Sequence, residues 1–330
     1  MSKKKRMNVL SVFDGISCAK IALDQLGFKV DNYYASEIDK HAINVSKHNH
    51  PNIIHLGDIK NIKAEDLPKI DLFIGGSPCQ DLSNAQKGLG LEGGKSGLFY
   101  EYIRLLREVK PRYFLLENVK NKWAHIMSDY VGINHIEVNS TVLSAQSRPR
   151  YYWTNLDYDS FPTKPSQKEL KDIIENDVDE KYYLKKGNLD DFLNSVKIKE
   201  NKSKDGINKV FEIPREIHND NERQRRVYSL KSKSPTVLAR ADTTKIFINN
   251  RIRKLTPLEC ERLQCIPNNY TSISSDTQRY KMVGNAFTVS VIKHFLNALN
   301  KEPKNVVIPT DKELLIKKEE ELLPIQGKLF

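Results

Sequence analysis

The sequence predicts an α/β fold, a mostly parallel sheet covered by helices on both faces, with a second, smaller and less regular domain. Three observations carry this reading. Short apolar runs alternate with helix-like stretches through the first half of the chain. From about residue 160 to 250 that periodicity weakens while Lys, Asn and Ser become frequent. Helical order then returns at Thr256. Strands separated by helices require right-handed crossovers, and crossovers cover both faces of a sheet.

The elements follow in order. Val9-Leu10-Ser11-Val12-Phe13 reads as a buried strand, and Ser17 stands where it can cap a helix ending near Gly27. Tyr33-Tyr34-Ala35 is a second strand, followed by a helix from Lys40 to His48. Further strands are expected at Ile53–Leu56, Leu72–Ile74, Tyr113–Leu116, His135–Val138 and Tyr151–Trp153. Thr256-Pro257-Leu258-Glu259 combines a capping box with proline at the first helical position. Another helix is expected from Thr288 to Asn300, and a solvated helix or loose extension from Lys301. The corresponding division is 1–157 and 250–300 for the main domain, 158–249 for the smaller one and 301–330 for the tail.

Composition narrows the function. The 330 residues carry 53 Lys and Arg against 42 Asp and Glu, a formal charge of +11 that suits a polyanionic partner. An apolar run long enough to span a bilayer is missing, and the basic Met1–Arg6 leads into no signal-peptide core, so a solvated terminus on an intracellular protein is expected. Four cysteines, Cys18, Cys79, Cys260 and Cys265, form neither a disulfide framework nor a zinc-ligand pattern, so no metal is expected.

Two places have the residues for chemistry. Phe13-Asp14-Gly15 closes the first strand at the sheet edge where ligands bind, with Glu37 ending the second strand and Asp58 the third. Such carboxylates can accept from ribose hydroxyls, although an ordinary tight turn with solvated acids gives the same letters. Cys18 and Ala19 replace the further glycines of a full dinucleotide fingerprint. The other place is Ser77-Pro78-Cys79-Gln80, beyond the strand ending in Gly75-Gly76. A cysteine on such a loop can be a nucleophile, and the glycine-rich stretch from Asn84 to Gly97 could close over a substrate. Glu117-Asn118-Val119 ends the next strand and would set an acid beside Cys79. In Gln146-Ser147-Arg148-Pro149-Arg150 alternation puts residues 146, 148 and 150 on one face, able to hold a carbonyl oxygen or an anion.

Together with Leu255-Thr256-Pro257-x-Glu259-x-x-Arg262-Leu263-Gln264 and Gly284-Asn285-Ala286, these motifs resemble the DNA (cytosine-5) methyltransferase family in order and approximate spacing. Local stretches are similar to bacterial, phage and de novo enzymes of that family. The resemblance implies a Rossmann-like S-adenosylmethionine-dependent methyltransferase sheet with a target-recognition domain. It implies S-adenosylmethionine as cofactor, held by Phe13, Asp14, Gly15, Glu37, Ile38, Asp58, Ile59, Pro78, Asn285 and Thr288. Ile38 and Ile59 would flank the adenine. Cys79 would attack carbon 6 of a flipped cytosine, with Glu117 at ring nitrogen 3, Arg150 on the carbonyl oxygen and Arg148 ordering the site.

The middle domain would read duplex DNA, with Gln80, Ser83, Gln146, Arg225, Arg226 and Arg240 as DNA-contacting candidates. A monomer in the cytoplasm, at the nucleoid in a bacterial or phage setting, with a cognate restriction endonuclease as a further partner, completes the expectation. The alternatives are an RNA cytosine-5 methyltransferase of the same fold, a catalytically inactive DNA-binding paralogue and an oxidoreductase on a similar sheet. The Cys-Phe-Thr tripeptide typical of the tRNA-modifying branch is absent from the sequence.

Overall fold

A computed structural model describes residues 6–77, 97–185, 188–198, 202–314 and 316. Pro78, Cys79, Gln80, Ser83 and the glycine-rich stretch up to residue 96 lie outside the described residues.

The first half builds one sheet. Its strands are β1 (Met7–Val12), β2 (Val30–Ser36), β3 (Ile54–His55), β4 (Leu72–Gly76), β5 (Tyr113–Val119), β6 (Ile136–Asn139) and β7 (Pro149–Thr154). Helices α1 (Cys18–Gln25), α2 (Lys40–Asn49), α3 (Gly97–Val109) and α4 (Ala124–Val131) connect them. The order across the sheet is β3-β2-β1-β4-β5-β7-β6. Strands β1 to β5 run parallel, and β7 enters antiparallel between β5 and β6. Val9, Leu72, Ile74 and Leu115 feed one apolar core, and Leu10, Val12, Phe73 and Leu116 feed the other. That alternation is the sheet's period of two, and it explains why these strands read as continuous apolar runs.

One topological feature positions everything that follows. After β1 the chain moves outward to β2 and β3, then returns to place β4 on the opposite side of β1. The crevice at the carboxyl ends of β1 and β4 is therefore a switch point, where an open α/β sheet leaves room for a ligand. Val12 pairs with Gly75 across it.

The remaining elements are α5 (Leu189–Ser195), α6 (Glu222–Arg225) and a four-stranded sheet of β8 (Lys209–Glu212), β9 (Arg226–Tyr228), β10 (Lys245–Ile248) and β11 (Arg251–Lys254). Helices α7 (Pro257–Leu263), α8 (Asp276–Asn285) and α9 (Val289–Leu296) complete the chain's return.

Three expectations need correction, and one helix was not anticipated. β11 pairs with β10, so the second sheet runs to Lys254 rather than stopping at 249. Ser17 occupies the N-cap position of α1 but in a left-handed conformation, and its hydroxyl bonds Asp14 and Ser46 instead of capping the helix. Helix α8 escapes a pattern reading because its exposed positions are strongly polar. The segment from 301 to 314 is not loose. Tyr113 donates to the Lys301 carbonyl at 2.7 Å, and Val306 and Ile308 pack on the core behind β5.

Candidate active site at the sheet's switch point

The turn after β1 is held from inside. Phe13 and Gly15 have left-handed backbones, with φ of 54° and 58°. At Gly15 a β-carbon would be strained by that φ although space around it is open. Asp14 turns inward and accepts from Tyr33 at 2.7 Å and from Ser17. Burial pushes its carboxyl up to about 6 despite those two hydrogen bonds, and the Glu37 charge adds to the rise.

Glu37 spans the turn. One carboxylate oxygen accepts from the Gly15 amide at 2.8 Å, and the other accepts from the Ile38 and Asp39 amides at 2.8 Å each. Beside it Ile38 is 74% exposed, an apolar side chain aimed at solvent at the mouth of the crevice. Asp58 accepts from the Lys60 amide at 3.0 Å. Lys281 of α8 bonds Asp39 at 2.6 Å, which brings the helix ending in exposed Asn285 to this edge.

These residues suit an adenosine-containing ligand. The carboxylates can accept from sugar hydroxyls and an amino group, the glycine leaves open space, and Ile38 offers an apolar face. Ile59, by contrast, is buried in the core. Thr288 is also buried, and its hydroxyl donates to Gln264 at 2.7 Å, beneath the expected site rather than in it.

At the other side of the crevice, Gly76 pairs with Glu117 in the β4–β5 register. A β-carbon on Gly76 would lie 2.7 Å from the Phe287 ring and 3.1 Å from the Glu117 carboxylate, so the glycine is required by crowding. The Asn118 amide donates to the Ser77 hydroxyl at 2.8 Å and to its carbonyl at 3.2 Å, fixing the residue just before Pro78. Val119 pairs with Arg150 across β5 and β7, which makes Arg150 the diagonal neighbour of Glu117. Their ion pair closes at 2.9 Å, with each side chain 13% exposed. An acid and a guanidinium are thus presented together at the strand ends where the Pro-Cys-Gln segment begins.

Arg148 is buried and faces the α8–α9 junction. It donates to the carbonyls of Gly284 at 3.1 Å, Ala286 at 3.0 Å and Val237 at 3.4 Å. Burial and then the Arg150 charge bring its pKa down to about 9, which leaves it charged at neutral pH. Gln146 requires a correction. It is fully buried, donates to the Gln264 amide oxygen at 3.1 Å and accepts from the Val237 amide at 2.9 Å, so it is not placed to touch DNA. Arg225 is likewise committed inside, to Glu212 at 2.7 Å and the Ile213 carbonyl at 2.9 Å. Arg226 and Arg240 lie at the surface, paired with Glu222 and Asp220 at 2.6 Å each.

Two participants were not singled out from sequence. Gln264 joins Gln146, Thr288 and the carbonyls of Val283 and Ala286. Phe287 packs against Gly76. Gln264 ends one quoted motif and Phe287 directly follows another, but only the fold shows what they touch. Among the described residues, His218, Asp220 and Asp242 bring possible metal-ligating atoms within 4.8 Å of one another. Arg240 and Lys245 already occupy the two carboxylates, each at 2.6 Å.

Comparison with known proteins agrees with this geometry. Residues 7–135 and 128–301 match the family described as C-5 cytosine-specific DNA methylase. A protein of Lactococcus lactis subsp. cremoris named Type II methyltransferase M1.ScrFI is 32% identical over 92% of this chain and 81% of its own. The orphan methyltransferase M.Rho11sI of Bacillus phage rho11s is 34% identical over 56% of this chain and 37% of its own. The fold matches the solved structure of the Entamoeba histolytica methyltransferase EhMeth, with a TM-score of 0.66 at 16% identity over 89% of this chain and 98% of that one.

Proposed function

The chain belongs to the family of C-5 cytosine-specific DNA methylases, and from that premise we propose how its own residues divide the work. The enzyme is a DNA (cytosine-5) methyltransferase that uses S-adenosylmethionine. When bound, the donor supplies an electrophilic methyl group on a sulfonium. Phe13, Gly15, Glu37, Ile38, Asp58 and Asn285 would hold it, with Asp14 and Thr288 supporting the site and Pro78 as a further contact.

Carbon 5 of cytosine is a weak nucleophile and needs activation. Cys79 adds as a thiolate to carbon 6, which makes carbon 5 enamine-like. Glu117 holds the proton at ring nitrogen 3 and Arg150 donates to the ring carbonyl, so charge developing on the ring meets fixed partners. Loss of the carbon 5 proton to a base then expels the thiolate and restores the aromatic ring. Carbon 6 is unreachable inside a duplex, so the cytosine is flipped out. Burial pushes the Cys18 and Cys260 thiols up, which leaves both inert and is consistent with Cys79 as the nucleophile.

The observation that carries this reading is the register that sets Glu117 beside Gly76, with Arg150 paired to it, at the entry to Pro78-Cys79. Duplex DNA carrying 5-fluorocytosine tests it, because fluorine at carbon 5 cannot leave as a proton does. Denaturation-resistant adducts are expected with the native enzyme and none with Cys79→Ala, which should still bind DNA. Wild-type turnover by that variant would refute the assignment.

The recognition domain is assigned to residues 158–254, and Arg226 and Arg240 reach DNA by exchanging an intramolecular carboxylate for a phosphate or a base edge. Among the described residues no helix is long and apolar enough to cross a membrane. A monomer acting on double-stranded DNA in the cytoplasm, at the nucleoid, completes the reading. A cognate restriction endonuclease is supported by the Type II name of the Lactococcus relative, whereas the orphan phage relative stands for an enzyme without one.

A further inference from the structure

Lys233 is only 3% exposed, yet it has no carboxylate within ion-pair distance among the described residues. Its ammonium instead meets four neutral oxygens. It donates to the Ser144 carbonyl at 2.8 Å, the Ser166 carbonyl and hydroxyl at 2.9 Å each, and the Lys168 carbonyl at 2.5 Å. A buried cation held by carbonyl and hydroxyl oxygens alone is the donor set by which proteins take potassium or ammonium ions. Here the chain supplies the cation itself.

What the clamp holds is specific. The residues that follow Lys233 run alongside Ser144–Arg148, with one parallel bridge between Gln146 and Ser234. The Ser234 amide donates to the Ala145 carbonyl at 2.7 Å, and the Ser147 amide to the Ser234 carbonyl at 2.8 Å. The Thr236 hydroxyl donates to the Ser147 carbonyl at 2.8 Å, and Arg148 reaches the Val237 carbonyl. At the far end the backbone of Leu238 and Ala239 passes so close to Gly284 that a β-carbon there would lie 2.4 Å away. One segment of the recognition domain is thus bonded to the residues that lead into β7 and Arg150, with Lys233 at one end and Gly284 at the other.

We propose that Lys233 is a positioning residue for methyl transfer, whose ammonium fills a cation cradle and locks the recognition domain in register with the strand presenting Arg150. A slip of one residue in a strand moves side chains by about 3.3 Å and turns them to the other face. The contacts of Gln146 and Arg148 to Val237 would be lost together, disturbing the segment that leads into β7 and Arg150. The charged groups facing the clamp are Glu169, Asp172, Lys202 and Lys168. Glu169 is already bonded to Lys202 at 2.8 Å and Lys171 at 3.1 Å, so the cradle itself stays neutral.

The test is Lys233→Ala, assayed with the full chain on target DNA. Turnover should fall roughly ten- to hundredfold while the KM for S-adenosylmethionine stays within about twofold, because the donor site lies elsewhere. Methylammonium or potassium chloride should restore turnover, and tetramethylammonium or sodium chloride at equal ionic strength should not. A merely structural lysine would show no such selectivity. Unchanged turnover, or a loss in a folded variant that neither small cation relieves, overturns the proposal. If the alanine variant fails to fold, Lys233→Gln keeps two N–H donors on a side chain one atom shorter, without charge; the same loss of turnover at constant KM is expected, and full turnover overturns the clamp. Lys233 acts in this way only if Arg150 holds the target base, so Arg150→Ala is measured alongside. Retained activity there would remove the site reading, whereas dependence on Arg150 without dependence on Lys233 removes the clamp alone.

Discussion

Asp14 illustrates how much a single side chain can say once its surroundings are known. Its carboxyl is buried with a pKa raised from 3.8 to about 6, so ionising it in the fold costs about 3 kcal/mol relative to water. The sign follows from proton binding. Between about pH 4 and 6 the folded state holds a proton that the unfolded chain has released, so stability is greatest below that window and falls as pH rises through it. Asp14→Asn should flatten this slope and raise the unfolding free energy at pH 8 more than at pH 5, measured by urea denaturation across pH. Parallel profiles for the two proteins would remove the explanation. At the site itself, Glu117→Gln keeps the hydrogen bond's shape but loses the titratable proton, and turnover should drop about 10²- to 10⁴-fold in steady-state methyl transfer.

The candidate letters were legible because a cysteine, an acid and two arginines follow one another near successive strands of the pattern. The destination of each donor was not. Gln146 and Arg225 have groups equally fit for DNA or for a backbone carbonyl; Gln146 is buried, and half-buried Arg225 is bound to Glu212 and the Ile213 carbonyl.

At the scale of elements, α7 was readable and α1 was deceptive for the same reason. Thr256 caps α7, and Glu259 returns the reciprocal bond to the Thr256 amide at 2.8 Å, as the sequence pattern implies. Ser17 has an equally good capping side chain, but its left-handed backbone turns the hydroxyl away from the helix amides, toward Asp14 and Ser46. Pattern alone could not foresee that Glu259 also accepts from Arg253 through two bonds of 2.7 Å, in a pair only 1% and 0% exposed. That pair joins β11 of the recognition sheet to α7 of the returning catalytic segment. Arg253→Ala would leave a buried carboxylate without its countercharge, at a cost of about 3–5 kcal/mol in chemical denaturation. Replacing both partners by apolar residues of similar volume should cost much less. A double variant as unstable as the single one would show that packing, not charge, is responsible. Gly76→Ala belongs to this scale too. Its β-carbon would meet the Phe287 ring and Glu117, so turnover should fall even if the fold survives.

The whole molecule departs from the expectation of two separate bodies. Composition marks the change of character near residue 160, since a polar, lysine-rich stretch advertises itself, but composition is silent about shared interiors. One apolar core contains Val9, Leu72 and Leu115 of the catalytic sheet together with Leu170, Tyr228, Val237 and Ile246 of the recognition region. The smaller cluster around Leu189, Val210, Phe211, Ile213, Val227 and Ile252 belongs to the recognition sheet alone. A core that crosses the boundary couples the stabilities of its two sides, because exposing one half strips apolar contacts from the other. Thermal unfolding should therefore appear as one cooperative transition, with equal calorimetric and van't Hoff enthalpies and coincident far-ultraviolet and aromatic signals. Two resolved transitions would show that the recognition region folds independently, and the shared core would then be a contact surface. The coupling also bears on function. If residues 158–254 form the recognition domain proposed above, the shared core would pass the register of bound DNA to the segment that leads into β7 and Arg150. Core substitutions such as Val237→Ala should accordingly lower turnover on target DNA more than they lower affinity for S-adenosylmethionine, as separate titrations of the two substrates would measure.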